Sequence, residues 1–378
     1  MNRRPLSAIV LAAGEGTRMR SATPKPLHRL CGRPMILHVL DALGSLSIER
    51  LVVVVGHGVS EVVKIVQAEA PQHLAIEFVE QPEPRGTGDA VAVALTGLSG
   101  TSGAADFDEG DVIVLPGDLP LLSQKTLSSL VEGHRSNEGA ATLLTAGLDQ
   151  PNGYSRVVRD KDGRVARIVD EPDATEPERQ IGEVATNVYC FRHGVLAPAL
   201  RRLSPYNSLG EYYLTDTVAV LHDAGYTVAT VMVADPVEAL EVNDRAQLAR
   251  AEAELRARIN RRWMRRGVTM WDPENTYLDA SVRLAADVTL LPGVILEGST
   301  TVGTGAVLGP SVHLVDCEIA PGAKLSHTVG SHAVIGEQCS VGPYVVLEKG
   351  TRLERGERRG PLSAPGSSGA EHEGRPRS

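Results

Sequence analysis

Up to about residue 244, short runs of apolar residues alternate with longer stretches in which apolar positions recur at helical spacing. Runs rich in Val, Ile and Leu predict strands at 8–12, 51–55, 76–79 and 112–115. The stretches between them predict helices at 34–46, 59–69 and 89–98. This alternation predicts an α/β domain over residues 1–244, with a mostly parallel, doubly wound sheet covered by helices on both faces. A ligand site is then expected at the carboxyl ends of the strands.

A second pattern begins near Leu284, where an aliphatic residue recurs at every sixth position. The positions are Leu284, Leu290, Leu296, Val302, Leu308 and Leu314, then, after a shift in phase, Ile319, Leu325, Val329, Ile335, Val341, Leu347 and Leu353. A period of six fits neither a helix nor an ordinary strand. It resembles the hexapeptide repeats of the left-handed parallel β-helix, in which the repeated side chains fill the core. We predict a short β-helix of about four coils within 269–354.

Two further segments follow neither pattern. Residues 244–263 are rich in Ala, Leu, Arg and Glu and contain no Gly or Pro, which predicts a linker helix within 245–268. Its arginines are assigned to a solvated helix face or a subunit contact rather than to RNA. Residues 355–378 are mostly Gly, Pro, Ser and charged residues, so we predict a disordered tail.

Composition and charge limit the possible partners. The 378 residues, 42% of them hydrophobic, suffice for two globular units, and the formal net charge of −9 gives no general attraction to nucleic acid or to an anionic membrane. We therefore expect neither partner. The chain contains no run of about 18 apolar residues and no signal-type cleavage site, so we predict a cytoplasmic protein. The cysteines are widely spaced and are predicted to be reduced packing residues: Cys31, Cys190, Cys317 and Cys339.

The segment after the first predicted strand has the composition of a phosphate-binding loop. In A-A-G-E-G-T-R, Gly14 and Gly16 follow the strand directly, and Arg18 and Lys25 supply two cations. Backbone amides of such a turn can hold phosphate oxygens, and a helix predicted to follow would add a partial positive charge at its N-terminus. The loop lacks the G-K-[ST] ending of an ATPase P-loop, and no acidic residue ends a second strand at dinucleotide-fold spacing. A nucleoside triphosphate is the expected ligand.

These motifs resemble those of sugar-1-phosphate nucleotidyltransferases. They are most similar to the bacterial bifunctional family that joins N-acetylglucosamine-1-phosphate uridylyltransferase to glucosamine-1-phosphate acetyltransferase and makes UDP-N-acetylglucosamine. The matching motifs run from Leu11 to Asn243, and the repeats continue the resemblance to about Leu353. The resemblance assigns Arg18 and Lys25 to catalysis, and Gln81 to uracil through its amide. The nucleotide-binding residues that it implies are Leu11, Ala12, Ala13, Gly14, Gly16, Gln81, Gly86 and Thr87.

The same resemblance implies a metal site and a sugar site. Asp118 in G-D-L-P and Asn243 in E-V-N-D match the pair that holds Mg²⁺, an ion that prefers oxygen ligands and takes few of them from the protein. Glu211 is expected near the sugar. The implied sugar-binding residues are Gly153, Ser155, Asp170, Glu171, Ala185 and Thr215.

Several of these positions depart from the family pattern. The departures are Ser155 for Gly, Ala185 for Asn, Asn187 for Gly, Asp170 for Glu (with Glu171 as a possible substitute) and Asp89 for His. A lost buried hydrogen-bond partner costs about 1–3 kcal/mol of discrimination, so three changes around one ligand bear on which sugar is bound. A hexose-1-phosphate other than N-acetylglucosamine-1-phosphate is therefore kept as an alternative.

The repeat region also departs from the family, because it is short and contains no matching His-Gly-Asn segment. His313, His327 and His332 are predicted to lie at turns or on the surface, and acetyl transfer is not expected. Related β-helices associate as trimers, so the resemblance implies a homotrimer.

The expected reaction joins UTP to a sugar-1-phosphate, giving a UDP-sugar, UDP-N-acetylglucosamine in the first instance, with release of pyrophosphate. One alternative is the same reaction with another nucleotide or sugar, such as dTTP and glucose-1-phosphate. The others are a hexapeptide-repeat acyltransferase and a non-catalytic module that kept the nucleotide fold.

Overall fold

The computed structural model describes residues 4–56, 60–98, 110–137 and 139–361. The chain divides into two compact units, the first made of Met1–His28 and Pro34–Ala251 and the second of Arg29–Arg33 and Glu252–Ser378. The division falls inside the predicted linker helix rather than at residue 244. No pattern in the sequence predicts that residues 29–33 belong with the second unit.

The strands of the first unit and of the adjoining hairpin are short to moderate in length. They are β1 (Leu6–Ala12), β2 (Arg29–Leu30), β3 (Arg33–Pro34), β4 (Arg50–Gly56), β5 (Ile76–Gln81), β6 (Asp111–Pro116), β7 (Ala141–Gly147), β8 (Ser155–Arg159), β9 (Val165–Val169), β10 (Glu183–Arg192) and β11 (Val228–Met232). Strands β2 and β3 pair only with each other, and the main sheet has the order β11-β7-β10-β6-β1-β4-β5, with β8 and β9 joined to β10.

The helices are α1 (Met35–Leu43), α2 (Ser60–Glu69), α3 (Thr87–Leu98), α4 (Gln124–Ser136), α5 (Glu176–Arg179), α6 (His193–Leu200), α7 (Asp216–Asp223) and α8 (Arg245–Met264). Each predicted strand and helix up to residue 115 overlaps an observed one; residue 59 of the predicted 59–69 helix lies outside the described residues. Two apolar clusters cover the sheet. Val10 belongs to one cluster and its neighbour Ile9 to the other, because successive side chains of a strand point to opposite faces. The doubly wound prediction is thereby confirmed.

The central strands explain where a ligand site can form. β1 pairs in parallel with β4 and β6, so the carboxyl ends of these strands lie at one edge of the sheet. Gly117 continues this arrangement beyond β6, since its backbone N–H donates to the carbonyl of Leu11 at 2.8 Å. The sheet is mixed, because β10 runs antiparallel to β6 and β7.

The second unit is a left-handed parallel β-helix, as predicted. Its strands are β12 (Thr269–Met270), β13 (Tyr277–Leu278), β14 (Arg283–Leu284), β15 (Thr289–Leu290), β16 (Ile295–Glu297), β17 (Thr301–Val302), β18 (Val307–Leu308), β19 (His313–Val315), β20 (Glu318–Ile319), β21 (Lys324–Leu325), β22 (Thr328–Ser331), β23 (Val334–Ile335), β24 (Ser340–Val341), β25 (Val345–Leu347), β26 (Arg352–Leu353) and β27 (Arg358–Arg359). They form three sheets with six, five and five strands, so the β-helix is longer than about four coils.

The repeat aliphatic residues are buried in the β-helix core with one exception. Val329 is 52% exposed, while Gly330 is buried and pairs with the core residues Leu314 and Leu347 on the neighbouring strands. The predicted phase was therefore wrong by one residue in β22. A Cβ on Gly330 would lie 3.0 Å from the Cβ of Leu347, so the neighbouring side chains would have to shift to accommodate a side chain there.

The end of the β-helix also differs from the prediction. β27 pairs with β24 through Ser340 and Arg358, within the segment for which a disordered tail was predicted. The rest of that segment, 362–378, lies outside the described residues. The backbones of His327 and His332 have positive φ, and His313 lies half-buried in β19, in agreement with their prediction as turn or surface residues.

Two further expectations concern cysteines and membranes. Cys31, Cys190, Cys317 and Cys339 are all buried and unpaired with one another, as predicted for packing residues. Across the described part of the chain, the helices are too short or too polar to span a bilayer.

Replacing Gly330 by Val should destabilise the β-helix, because the added atoms would overlap Leu314 and Leu347 in a filled layer. Overpacking of this kind typically costs about 1–3 kcal/mol. We expect a lower midpoint in thermal unfolding followed by circular dichroism. The matched control is Val334→Thr, which keeps the size of an outward side chain of β23 and should leave the midpoint unchanged. An unchanged midpoint for Gly330→Val would mean that residue 330 has space for a side chain, which would contradict the packing of this layer.

Candidate active site

The loop after β1 has the backbone that the sequence predicts. Leu11 and Ala12 end β1, and Ala13 leads into the glycine turn. Gly14 is open to solvent, and a Cβ there would meet nothing within 4 Å. Gly16 has a φ of +62°, and a Cβ on it would lie 2.6 Å from the Cβ of Lys25. Glycine is therefore required at residue 16 by both its φ and its close approach to Lys25.

The prediction of a helix directly after this loop is wrong, because the chain forms 3-10 turns there. A single 3-10 turn, Thr17–Met19, follows Gly16, and a second, Lys25–Leu27, follows shortly after. Such a turn has too few aligned peptides to act as a helix dipole. The positive charge at this edge therefore comes from side chains, with Arg18 exposed on the first turn and Lys25 at the start of the second.

Lys25 joins the two predicted metal ligands. Its Nζ donates to Asp118 Oδ2 at 2.5 Å and to Asn243 Oδ1 at 2.7 Å, so three residues far apart in sequence meet at one point. The backbone explains the meeting, because the N–H of Val242 donates to the carbonyl of Asp118 at 3.0 Å. That hydrogen bond holds Asn243 beside the end of β6.

Glu241 extends this cluster, although the sequence analysis did not select it. Its carboxylate accepts from Asn187 Nδ2 at 2.9 Å and from Asn243 Nδ2 at 3.2 Å. Burial and the nearby Asp118 carboxylate raise the pKa of Glu241 to about 7, although the hydrogen bonds from both asparagines act in the opposite direction. Glu241 therefore fixes the side chain of Asn243 while that residue faces Lys25.

Asn187 occupies the position at which the family pattern has Gly. Its φ is +56°, a region that glycine enters freely and that Asn tolerates better than most residues. It lies where the pairing of β10 with β7 shifts in register between Ala185 and Tyr189. Asn187 thus has a φ that glycine enters freely, and it adds a side chain that reaches Glu241.

The predicted base-binding segment begins at the end of β5. Gln81 is only 5% exposed, and its Nε2 donates to Asp89 Oδ2 at 2.7 Å and to the carbonyl of Gly86 at 3.2 Å. Thr87 begins α3, and its hydroxyl accepts from the N–H of Leu214 at 3.0 Å. Gly86 has a φ of +105° and approaches the Tyr212 backbone, so a Cβ there would lie 2.6 Å from the Tyr212 carbonyl oxygen.

The predicted sugar-binding residues form a second cluster around Asp170. Ser155 donates its hydroxyl to Asp170 Oδ1 at 2.5 Å, and Thr215 donates to Oδ2 at 2.8 Å. Glu211 is half-buried, and that burial raises its pKa. Gly153 has a φ of +84° in the turn that leads to Ser155.

Two predicted sugar-site residues have other neighbours. Glu171 forms an ion pair at 2.6 Å with Arg156, whose side chain is fully buried, so its carboxylate is already engaged. Ala185 pairs with Ser155 between β10 and β8, but it is 1% exposed and its methyl group packs in the apolar core. Ala185 therefore presents almost no surface to a ligand.

The residues that the sequence analysis missed are mainly partners of those it found. Glu241 stands two positions before Asn243 in the quoted E-V-N-D motif, and Arg156 follows Ser155 in N-G-Y-S-R. Both were within motifs already selected. Only the folded chain shows which side chain each one contacts.

The residues at this edge of the sheet fit a magnesium ion. Asp118 Oδ1 is buried and has no hydrogen-bond partner among the described residues, which is the state expected of an oxygen that awaits a ligand. Asp118 and Asn243 offer oxygen atoms, the donors that Mg²⁺ prefers, and Mg²⁺ usually takes only one or two from the protein. Within the described ranges no group of three or more His, Cys, Asp or Glu residues could hold a metal.

Comparison with known proteins agrees with this geometry. The model of the MobA-like NTP transferase domain matches residues 8–205. The bifunctional protein GlmU of Desulfitobacterium hafniense is 44% identical over 348 residues, which cover 92% of this chain and 74% of that protein. The bifunctional protein GlmU of Kineococcus radiotolerans is 46% identical over 349 residues, covering 92% of this chain and 69% of that protein.

A solved structure shows the same fold at lower sequence similarity. A crystal structure described as that of a glucose-1-phosphate thymidylyltransferase from Bacillus anthracis, in complex with a sucrose, superposes with a TM-score of 0.52 and 18% identity. The match covers 66% of this chain and 94% of the other. The sequence relatives, each covering most of both chains, decide the family. The chain belongs to the GlmU family and carries a MobA-like NTP transferase domain.

Proposed function

We propose that the chain is a sugar-1-phosphate uridylyltransferase that makes UDP-N-acetylglucosamine from UTP and N-acetylglucosamine-1-phosphate. A phosphate oxygen of the sugar-1-phosphate attacks the α-phosphorus of UTP, the bond between the α-phosphorus and its bridging oxygen breaks, and pyrophosphate leaves. The observation that carries this proposal is the meeting of Lys25 with Asp118 and Asn243 beside the Gly14–Gly16 loop.

The protein's part in this reaction is to position phosphates and to balance their charge. No covalent nucleophile is needed, since transfer of this kind depends mainly on alignment and electrostatic stabilisation. The Gly14–Gly16 loop would bring backbone amides to the triphosphate, and Arg18 and Lys25 would neutralise its oxygens. The Nζ of Lys25 donates to Asp118 Oδ2 at 2.5 Å and to Asn243 Oδ1 at 2.7 Å, so the ammonium is held in place without substrate.

Asp118 and Asn243 would hold the magnesium ion. When bound, Mg²⁺ would supply positive charge to the triphosphate and to the leaving pyrophosphate. Glu241 would orient the Asn243 amide, so that its carbonyl oxygen faces the site and its nitrogen faces away.

The sugar would lie against the Asp170 cluster. Ser155 and Thr215 give their hydroxyl hydrogens to Asp170, so both hydroxyls can only accept further hydrogen bonds. A sugar hydroxyl or amide N–H can donate to them. We further propose a cytoplasmic location, which the unpaired cysteines favour.

Replacing Asp118 or Lys25 by Ala should lower the rate of pyrophosphate release at least about 100-fold, because Lys25 is a cation at the triphosphate and Asp118 would hold the magnesium ion. The assay would use UTP, Mg²⁺ and N-acetylglucosamine-1-phosphate. Lys64→Ala is the matched control, since Lys64 is an exposed lysine of α2 and should keep full activity.

The same assay separates the proposed reaction from its alternatives. Circular dichroism should show that the Asp118 and Lys25 variants remain folded. An Asp118→Ala variant that remains active would contradict the assignment of Asp118 as a magnesium ligand. If dTTP with glucose-1-phosphate is turned over faster than UTP with N-acetylglucosamine-1-phosphate, the proposed substrates are wrong and the first pair takes their place.

We also propose that the protein forms a homotrimer through one face of the β-helix. The outward positions of the sheet formed by β13, β16, β19, β22 and β25 are mostly apolar: Tyr277, Ile295, His313, Val329 and Val346. The corresponding column on the sheet of β14 is mainly polar or charged: Arg283, Thr301, Glu318, Val334 and Arg352. Val329 and Val346 are adjacent and well exposed, which favours their burial against another copy.

The double substitution Val329→Glu with Val346→Glu should dissociate the trimer, because it would place like charges in an apolar contact. Multi-angle light scattering after size exclusion should give the mass of three chains for the native protein and of one for the variant. Thr301→Glu, on the charged column, is the control and should remain trimeric. A monomeric native protein, or a variant that stays trimeric, would contradict this interface.

A further inference from the structure

The amide of Gln81 is held by two groups that can only accept hydrogen bonds. Its Nε2 lies 2.7 Å from Asp89 Oδ2 and 3.2 Å from the carbonyl oxygen of Gly86. An amide nitrogen carries two hydrogens, and both are used here. Turning the amide over would place its oxygen against a carboxylate and a carbonyl, so its orientation is fixed by chemistry.

The atom left to face a ligand is the amide oxygen. Among the residues that the structure describes, no donor contacts Oε1 of Gln81. The side chain could in principle pair with either a donor or an acceptor on a base, but here its nitrogen is already engaged. The end of β5 therefore presents an acceptor.

We propose that Asp89 is the positioning residue that makes the base site selective for a ring N–H donor. This inference rests on the proposed function, because it names the property of the nucleotide that Gln81 reads. Uracil carries a ring N–H and satisfies the acceptor. Cytosine has an acceptor nitrogen at the same ring position, so its lone pair would face the oxygen of Gln81.

The chemistry of Asp89 suits this role better than that of the His in the family pattern. A neutral imidazole has one donor and one acceptor nitrogen, so it can hold a Gln amide in either orientation. A carboxylate only accepts. Asp89 also lies in the first turn of α3, where the positive end of the helix dipole stabilises a negative charge.

The backbone around the pair is equally well fixed. Gly88 donates its N–H to the Tyr212 carbonyl at 2.8 Å, and Tyr212 donates to the Arg85 carbonyl at 2.8 Å. The turn that carries Gly86 is therefore held on both sides. Loss of Asp89 should then leave the Gln81 amide with only its longer hydrogen bond to the Gly86 carbonyl, without displacing the turn.

The test compares UTP with CTP in the native enzyme and in Asp89 variants, using kcat/KM for pyrophosphate release. We expect the native enzyme to prefer UTP at least about 100-fold. Asp89→Ala should reduce this preference about 10-fold or more, mainly through KM, because the amide can then turn its nitrogen toward cytosine. Asp89→Asn offers a donor as well as an acceptor, so it can hold the Gln81 amide in either orientation and should restore at most part of the preference.

A merely structural role for Asp89 predicts a different result. In that case both nucleotides would lose activity equally and the UTP-to-CTP ratio would not change, which would overturn the inference. Circular dichroism checks folding, and Asp89→Ser serves as a second variant should the Ala variant be unfolded. Serine is too short to reach Gln81 as aspartate does, so the same loss of preference is expected.

Binding measurements keep the inference separate from the proposed reaction. Calorimetry with UTP and CTP in the presence of Mg²⁺ reads base preference without turnover. Preferential UTP binding that Asp89→Ala weakens, in an enzyme that releases no pyrophosphate, would support the role of Asp89 and refute the reaction. Turnover of UTP by an enzyme that binds UTP and CTP with equal affinity would support the proposed reaction and refute the role of Asp89.

Discussion

The contact of the Lys25 ammonium with Asp118 and Asn243 is the interaction on which the site depends. Three distant parts of the chain supply it: the segment after β1, the end of β6 and the segment before α8. Parallel pairing of β1 with β6 places the first two at one edge of the sheet, and the Val242 hydrogen bond brings the third. Asp118 and Asn243 present oxygen atoms to the Lys25 ammonium, so the cluster is stabilised around positive charge.

Most of the fold could be predicted because its signals are local. The strand at 8–12 and the repeated aliphatic residues from Leu284 onward follow periods that the backbone itself imposes. Val329 shows the limit of this reasoning. It continues an aliphatic series in sequence, yet Gly330 is the inward residue, and Leu314 and Leu347 pack closely against it. Only the assembled layer contains that information.

The residues of the site likewise divide into those that a local sequence motif predicts and those that only the folded chain brings together. Gly16, Lys25 and Asp118 belong to compact motifs and could be selected from the sequence. The contact of Asn187 with Glu241 joins residues that are separated along the chain, and no local period connects them. The helix expected after the glycine loop was wrong for a related reason: turn-forming residues there are followed by Pro24 and Pro26, and the chain makes 3-10 turns instead.

The departures from the family pattern gain a physical meaning when their contacts are considered together. Ser155 donates to Asp170, Asn187 reaches Glu241, and Asp89 holds Gln81. In each case a changed residue contacts another residue of the same site, so a new hydrogen bond stands where a polar group would otherwise be left alone. Ala185 is the exception, because it lies in the apolar core and offers no polar atom. Three of the departures therefore keep polar partners within the site, which favours a pocket that still binds a substrate over a non-catalytic remnant of the fold.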